Sequence, residues 1–279
     1  MSFFKHKNDD TCFRRHPGLR IIVWVEFFCI LIPLIILILS AIVPRWDVLL
    51  SGGFTTYSFD KVSEGNYHFG SVITFSVVLG VAVSAVTSLI ATCTAWAVVH
   101  YKTKFSWLVE LLSFLPMVIP AIVFAMGINI MFIRIGIGNS IIGVIVMLLL
   151  TNVTFSTKIM IDVVESAGDK LEEQARVLGA GPVRAFFQGV LPTLVPGIFS
   201  SMALAFIGVN CAYLVTALMG GGTVRTLATV VLPMIGTSSH MVSSLFCIIF
   251  VLVNAVVFMI FQGISNVLTK RYGKNLGMQ

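Results

Sequence analysis

GSVITFSVVLGVAVSAVTSLIATCTAWAVV, from Gly70 to Val99, is 30 residues without one Asp, Glu, Lys or Arg. A hydrocarbon core about 30 Å thick is crossed by roughly 20 apolar residues at about 1.5 Å of helix rise each. This stretch is therefore a membrane-spanning helix, and the chain on either side repeats the pattern. Before it lies Ile21–Val43, interrupted only by Glu26. After it comes Trp107–Ile133, with Glu110 near its start and Pro116 and Pro120 inside. Ile135–Thr157 is the next span and runs on to Val164. The interval from Arg184 to Arg225 is uncharged and places a fifth span at Leu194–Met219. The last uncharged run, Thr226–Thr269, is too long for one crossing. It divides into a short segment at Thr226–Gly236, read as re-entrant, and a sixth helix at Met241–Gly263.

Composition agrees with that reading. Of 279 residues, 57% are hydrophobic and 11% charged, against about 25% charged in a soluble domain. The mean hydropathy is +1.00. These values exclude a soluble enzyme, a disordered chain and a nucleic-acid binder. Cys12, Cys29, Cys93, Cys211 and Cys247 form no CxxC pair, and four of them sit in apolar stretches. Neither a disulfide framework nor a metal site is expected.

The net charge of +6 is a matter of placement. With six spans, 14 of the 18 Lys and Arg fall on one side of the membrane, and only Arg45, Lys61, Arg134 and Arg225 fall on the other. Basic residues concentrate in cytoplasmic loops, so both termini are expected inside a bacterial cytoplasmic membrane. The expected organisation is a cytoplasmic tail at 1–20, a six-helix domain at 21–264 and a cytoplasmic tail at 265–279. Ile21–Val43 is longer than a signal-peptide core of roughly 7–15 residues, so it is expected to be an uncleaved first helix.

One polar stretch, Glu165–Pro192, carries its own pattern. Asp169 can cap a helix with Glu172 as its capping-box partner. Leu171, Ala175 and Leu178 then share one face, while Glu172, Glu173 and Arg176 point elsewhere. Gly179 is a helix stop and Pro182 suits the first turn of a second helix, closed by Pro192. The expectation is a short amphipathic helix pair at Asp169–Gly189. It reads as either a surface connector or a docking element.

Leu171-Glu172-Glu173-Gln174-Ala175-Arg176-Val177-Leu178-Gly179-Ala180-Gly181-Pro182, with Val190-Leu191-Pro192, resembles the EAA loop of binding-protein-dependent ABC importer permeases. Glu173, Ala175, Gly179, Leu191 and Pro192 match that motif's spacing. Gln174 and Gly189 depart from it, and Gly189 stands where an aliphatic residue is usual. Pro116 and Pro120 resemble the family's third-helix proline pair. Tyr213–Leu227, with Gly220-Gly221-Gly222, resembles the polyamine, opine and phosphonate group.

The resemblance implies a type I importer permease fold, an all-α membrane protein with an EAA-type coupling helix pair. Glu172, Glu173, Ala175, Arg176, Gly179, Ala180 and Pro182 would then seat on an ATPase. It implies as partners two ATPase subunits carrying ATP and Mg, a second permease subunit of the same or a homologous chain, and an external solute-binding protein, all within membrane lipid. No GxxxxGK[ST] loop occurs here, so the phosphate-binding machinery of such an ATPase is expected on another polypeptide and no cofactor on this one. No catalytic triad, carboxylate pair or metal-spaced cluster is visible, so no enzymatic activity is expected.

Polar residues inside spans either bond neighbouring helices or mark a pathway. Asn129, Asn152, Asn210 and Tyr213 are the pathway candidates, with Asn254 a further asparagine inside a span that could serve either role. Polyamine permeases of the resembled family carry an acidic pair where this chain has Cys211 and Ala212, which implies a solute other than a multiply charged cation. The expected function is passage of a small polar solute, an aminophosphonate, polyamine or related compound. The competing class is an ATP-independent secondary transporter or channel, which needs no docking loop.

Overall fold

A computed structural model describes residues 17–42, 69–100, 111, 118–167, 177, 179, 181, 186–237 and 240–275. The described elements are helical: α1 (Pro17–Ile42), α2 (Phe69–His100), α3 (Ala121–Ile135), α4 (Ile141–Ala167), a π turn (Phe186–Val190), α5 (Leu191–Cys211), α6 (Tyr213–Gly220), α7 (Leu227–Thr237) and α8 (His240–Asn275). Among the described residues, five stretches are long and apolar enough to cross a membrane: Ile22–Ile42, Gly70–His100, Ile141–Ala167, Leu191–Cys211 and Val242–Lys270. A helix satisfies its own backbone donors and acceptors, which a bilayer core cannot do.

The chain divides into two compact units. One comprises Met1–His68 and Pro233–Val251, the other Phe69–Leu232 and Leu252–Gln279. In the first, α1 leaves its apolar surface open, with Ile22, Trp24 and Ile30 each more than half exposed. Within the same unit Ser243 Oγ donates to Met234 O at 2.9 Å.

In the second unit α2, α4 and α5 pack closely because small residues face one another. Ser76, Gly80, Ser84, Ser88 and Thr92 recur every fourth residue of α2, the small-xxx-small pattern that lets membrane helices approach. A Cβ on Gly80 would lie 2.7 Å from Phe206 Cε2 and 3.1 Å from Asn210 Nδ2 on α5. Ser88 Oγ donates across to Ile198 O at 3.0 Å. On the other side of α5, Gly197 abuts Val163 of α4, where a Cβ would come 2.7 Å from Cγ2. Phe206 meets Phe261 of α8 edge-on at 6.0 Å. Ser76 Oγ accepts the Leu227 N–H at 2.7 Å and so ties the start of α7 to α2.

Several expected boundaries move. The fourth span starts at Ile141, not Ile135. Gly136 takes φ 83° and Asn139 φ 53°, while the Ile137 and Gly138 N–H groups donate to Phe132 O. Ser140 Oγ then accepts the Gly143 N–H at 3.1 Å and opens the next helix. The fifth span begins at Leu191, and Pro192 sits in its first turn instead of closing a preceding helix. That span is also broken at Ala212 (φ −77°, ψ 58°), so Leu194–Met219 is two helices, α5 and α6. The last helix runs from His240 to Asn275, longer than the expected Met241–Gly263. The segment expected at Thr226–Gly236 is a helix, α7. Of the expected third span the described part is α3, 15 residues beginning after Pro120. Its earlier portion, 107–117 apart from Leu111, lies outside the described residues.

Candidate functional site

The break at Ala212 shapes a groove of about 690 Å³ between α4, α5 and α6. Its rim is apolar: Phe155, Leu204 and Leu214 line it and are each more than half exposed. Most of the remaining lining is apolar too, and its few polar side chains are uncharged. Thr151, Asn152 and Ser156 of α4 and Tyr213 of α6 are the polar side chains of the lining, and Asn152 abuts Gly208 of α5. Among the described residues, no Asp, Glu, Lys, Arg or His lines it. Apolar walls with a few placed polar groups are the usual make-up of a small-molecule site.

Asn152 is held firmly. Its Nδ2 donates to Leu148 O at 2.8 Å and to Thr151 Oγ1 at 3.4 Å, and Thr151 Oγ1 in turn donates to Leu148 O at 3.1 Å. The carboxamide oxygen rests against Gly208, where a Cβ would overlap it. The donors of Asn152 are thus spent on its own helix, and its oxygen remains as an acceptor. On the facing side, Tyr213, Leu214 and Val215 begin α6 and line the groove. The first amides of a helix have no intrahelical partner and carry a partial positive charge.

Of the four pathway candidates, the structure brings together Asn152 and Tyr213. Asn210 is directed elsewhere: it is 3% exposed, its Nδ2 donates to Phe206 O at 3.2 Å, and it faces Gly80. It joins α5 to α2 and does not line the groove. Asn129 on α3 is also outside the groove, and its buried carboxamide oxygen makes no hydrogen bond among the described residues. Thr151, Ser156 and Gly208 were missed in the sequence because small residues carry no charge signal.

Of the proposed docking residues, Glu172, Glu173, Ala175, Arg176, Ala180 and Pro182 lie outside the described residues. Gly179 is described, exposed, and has φ +85°. This is the left-handed conformation of a helix stop. Gly189, the departure from the EAA pattern, lies in the π turn Phe186–Val190. Beside it Val190 is 1% exposed and packs with Met160 and Leu194.

A family model described as the binding-protein-dependent transport system inner membrane component matches residues 84–270, about two thirds of the chain. The chain belongs to that family. A Streptomyces antibioticus protein assigned as an ABC transporter permease, ORF1, is 27% identical over 137 residues, 47% of this chain. The match spans 58% of that relative's length. Among solved structures, a chain of a bacterial ABC transporter involved in import of the acidic polysaccharide alginate superposes with a TM-score of 0.61 at 17% identity. That superposition covers 91% of this chain and 94% of the other, so this family member has the fold of an ABC importer chain.

Proposed function

We propose that this chain is the transmembrane permease subunit of an ATP-driven importer, and that the groove lined by Asn152 is its solute path. The observation that carries the reading is an apolar groove in a permease-family fold whose few polar side chains, Thr151, Asn152, Ser156 and Tyr213, are uncharged. The Asn152 oxygen accepts, and the amides that open α6 favour negative charge. A small zwitterion satisfies both, with its ammonium at Asn152 and its anionic group at α6. An aminophosphonate or related amino compound fits this arrangement. A polyamine fits it less well, since no carboxylate among the described residues lines the groove.

In this reading six helices cross the membrane, the third formed by Trp107–Ile133, and both termini are cytoplasmic. The 165–192 loop docks on a separate ATPase through Glu172, Glu173, Ala175, Arg176, Gly179, Ala180 and Pro182. A pair of permease subunits, two ATPases and an external solute-binding protein complete the transporter. The φ of Gly179 supports the docking-helix reading. An ATP-independent channel has no use for such a loop. The path is tested with Asn152→Leu and Ser156→Leu, with Val78→Ala on the exposed face of α2 as control. The first two should lose solute uptake while still assembling with the ATPase. Undiminished uptake in both would remove the groove from the path.

A further inference from the structure

Hydroxyls on a membrane helix commonly bond a carbonyl one turn back, and several here do. Ser76 Oγ donates to Val72 O at 2.8 Å, Thr92 Oγ1 to Ser88 O at 2.7 Å and Thr151 Oγ1 to Met147 O at 3.1 Å. Three others do not. Thr87 of α2, Thr157 of α4 and Ser201 of α5 are 0%, 1% and 0% exposed, and their side-chain oxygens make no hydrogen bond among the described residues. An unpaired hydroxyl in an apolar interior is costly, and each such group calls for a partner.

Helix register brings the three to one level. Leu79 and Val83 of α2 share a buried cluster with Val144, Met147 and Leu148 of α4. Ala91 and Ala95 share another with Met160, Ile161 and Val164. The two helices therefore run in the same sense, and Thr87 and Thr157 both stand between the clusters. The α5 helix runs the opposite way: Gly80 abuts Phe206 and Asn210, and Ser88 Oγ reaches Ile198 O. Ser201 lies between those two contacts. Against α4 it lies between Gly197, which abuts Val163, and Gly208, which abuts Asn152. All three pairings put the residues within about one turn of one another, roughly 5 Å along the bundle. Each also sits on an inward face. Ser84 and Ala91, one turn either side of Thr87, are fully buried. Thr157 precedes Met160 and Ile161 by a turn, and Ser201 follows Gly197 by a turn.

We propose that Thr87, Thr157 and Ser201 form a buried water site, in which one ordered water bridges α2, α4 and α5. Each hydroxyl can give one hydrogen bond and accept two, and a buried water makes about three. A cation suits the site poorly, because no Asp or Glu is buried among the described residues. The site is separate from the groove, whose lining includes Ser156 but none of the three. It stands whether or not the groove carries solute. The three helices meet there through one exchangeable molecule instead of a fixed contact.

The full chain is melted in detergent as Thr87→Val, Thr157→Val, Ser201→Ala and the triple variant, in NaCl and in choline chloride. Each single substitution removes one bond to the water and should lower the melting temperature by about 2–4 °C. The triple variant removes every hydroxyl together and should melt within about 2 °C of the parent, well above what the singles sum to. A map of the parent fine enough to show ordered water should hold a peak within hydrogen-bonding distance of at least two of the three oxygens. Singles that melt higher than the parent mean dry hydroxyls and overturn the proposal. Additive losses in the triple variant mean separate partners and overturn it too. A parent stabilised by NaCl over choline chloride, with that difference lost in Thr157→Val, assigns a sodium ion instead of water. Where a valine variant does not fold, the map of the parent decides, and no peak between the three oxygens overturns the site.

Discussion

Gly208→Ala probes the closest approach in the groove. The added Cβ would overlap the Asn152 carboxamide oxygen and lie 3.5 Å from its Cγ. Either α4 and α5 separate, or the amide turns and loses its bond to Leu148 O. Overpacking a fitted interface costs about 1–3 kcal/mol. Loss of that bond within α4 adds about 0.6 kcal/mol, the scale of side-chain hydrogen bonds inside a membrane. Together they come to about 2.6 kcal/mol, or roughly 5–10 °C in a thermal melt of a chain this size. The control is Gly263→Ala, where nothing lies within 4 Å. There, replacing a helical glycine should be neutral or stabilise by up to about 1 kcal/mol. The melt is read in detergent for Gly208→Ala, Asn152→Ala and the double variant. The double variant should be more stable than the sum of the singles requires, because Asn152→Ala removes the group that clashes. Additive losses, or a Gly208→Ala melt equal to the parent, would refute the contact.

Gly179→Val places a β-branched residue at φ +85° and should cost about 1–3 kcal/mol locally; loss of co-purifying ATPase is the readout, and full retention would count against a helix stop at the dock. Ser88→Leu forces a large side chain into a position 1% exposed and should lower the melting temperature more than Ser88→Ala, which forfeits only the bond to Ile198 O, worth about 0.6 kcal/mol. Lys158→Gln breaks an ion pair to Asp162 whose side chains are 49% and 60% exposed; with solvent screening, the melt should change by no more than about 0.5 kcal/mol.

The spans were legible because charge is so costly in a bilayer that its absence over some twenty residues has one common meaning. Hydropathy is blind to a turn made of apolar and small residues. Ile135-Gly136-Ile137-Gly138-Asn139-Ser140 is an interhelical turn, and its two glycines, Asn and Ser were the signal for a stop and a new N-cap. The break at Ala212 had no such signal: Asn210, Cys211 and Ala212 contain neither glycine nor proline, and tertiary packing decides there. The same limit explains the asparagines. Asn152 and Asn210 both sit in apolar helices with their amides bonded one turn back. What separates their roles is the glycine each one faces, Gly208 at the groove and Gly80 on α2. That pairing is a property of helix register, not of either residue's neighbours in sequence. Gly179 was readable because a helix stop is a local event; its φ depends on few residues beyond its own turn.

The central claim is that solute moves only when an ATPase drives this chain. It is tested by uptake of a labelled panel, comprising an aminoalkylphosphonate, putrescine, spermidine and a neutral sugar, into proteoliposomes. The vesicles hold the chain with or without its ATPase subunits and solute-binding protein, and with ATP or a non-hydrolysable analogue. The expected result is uptake that requires the ATPase and hydrolysable ATP together, with the aminoalkylphosphonate favoured over the polyamines. Equal uptake by vesicles holding this chain alone would contradict the account.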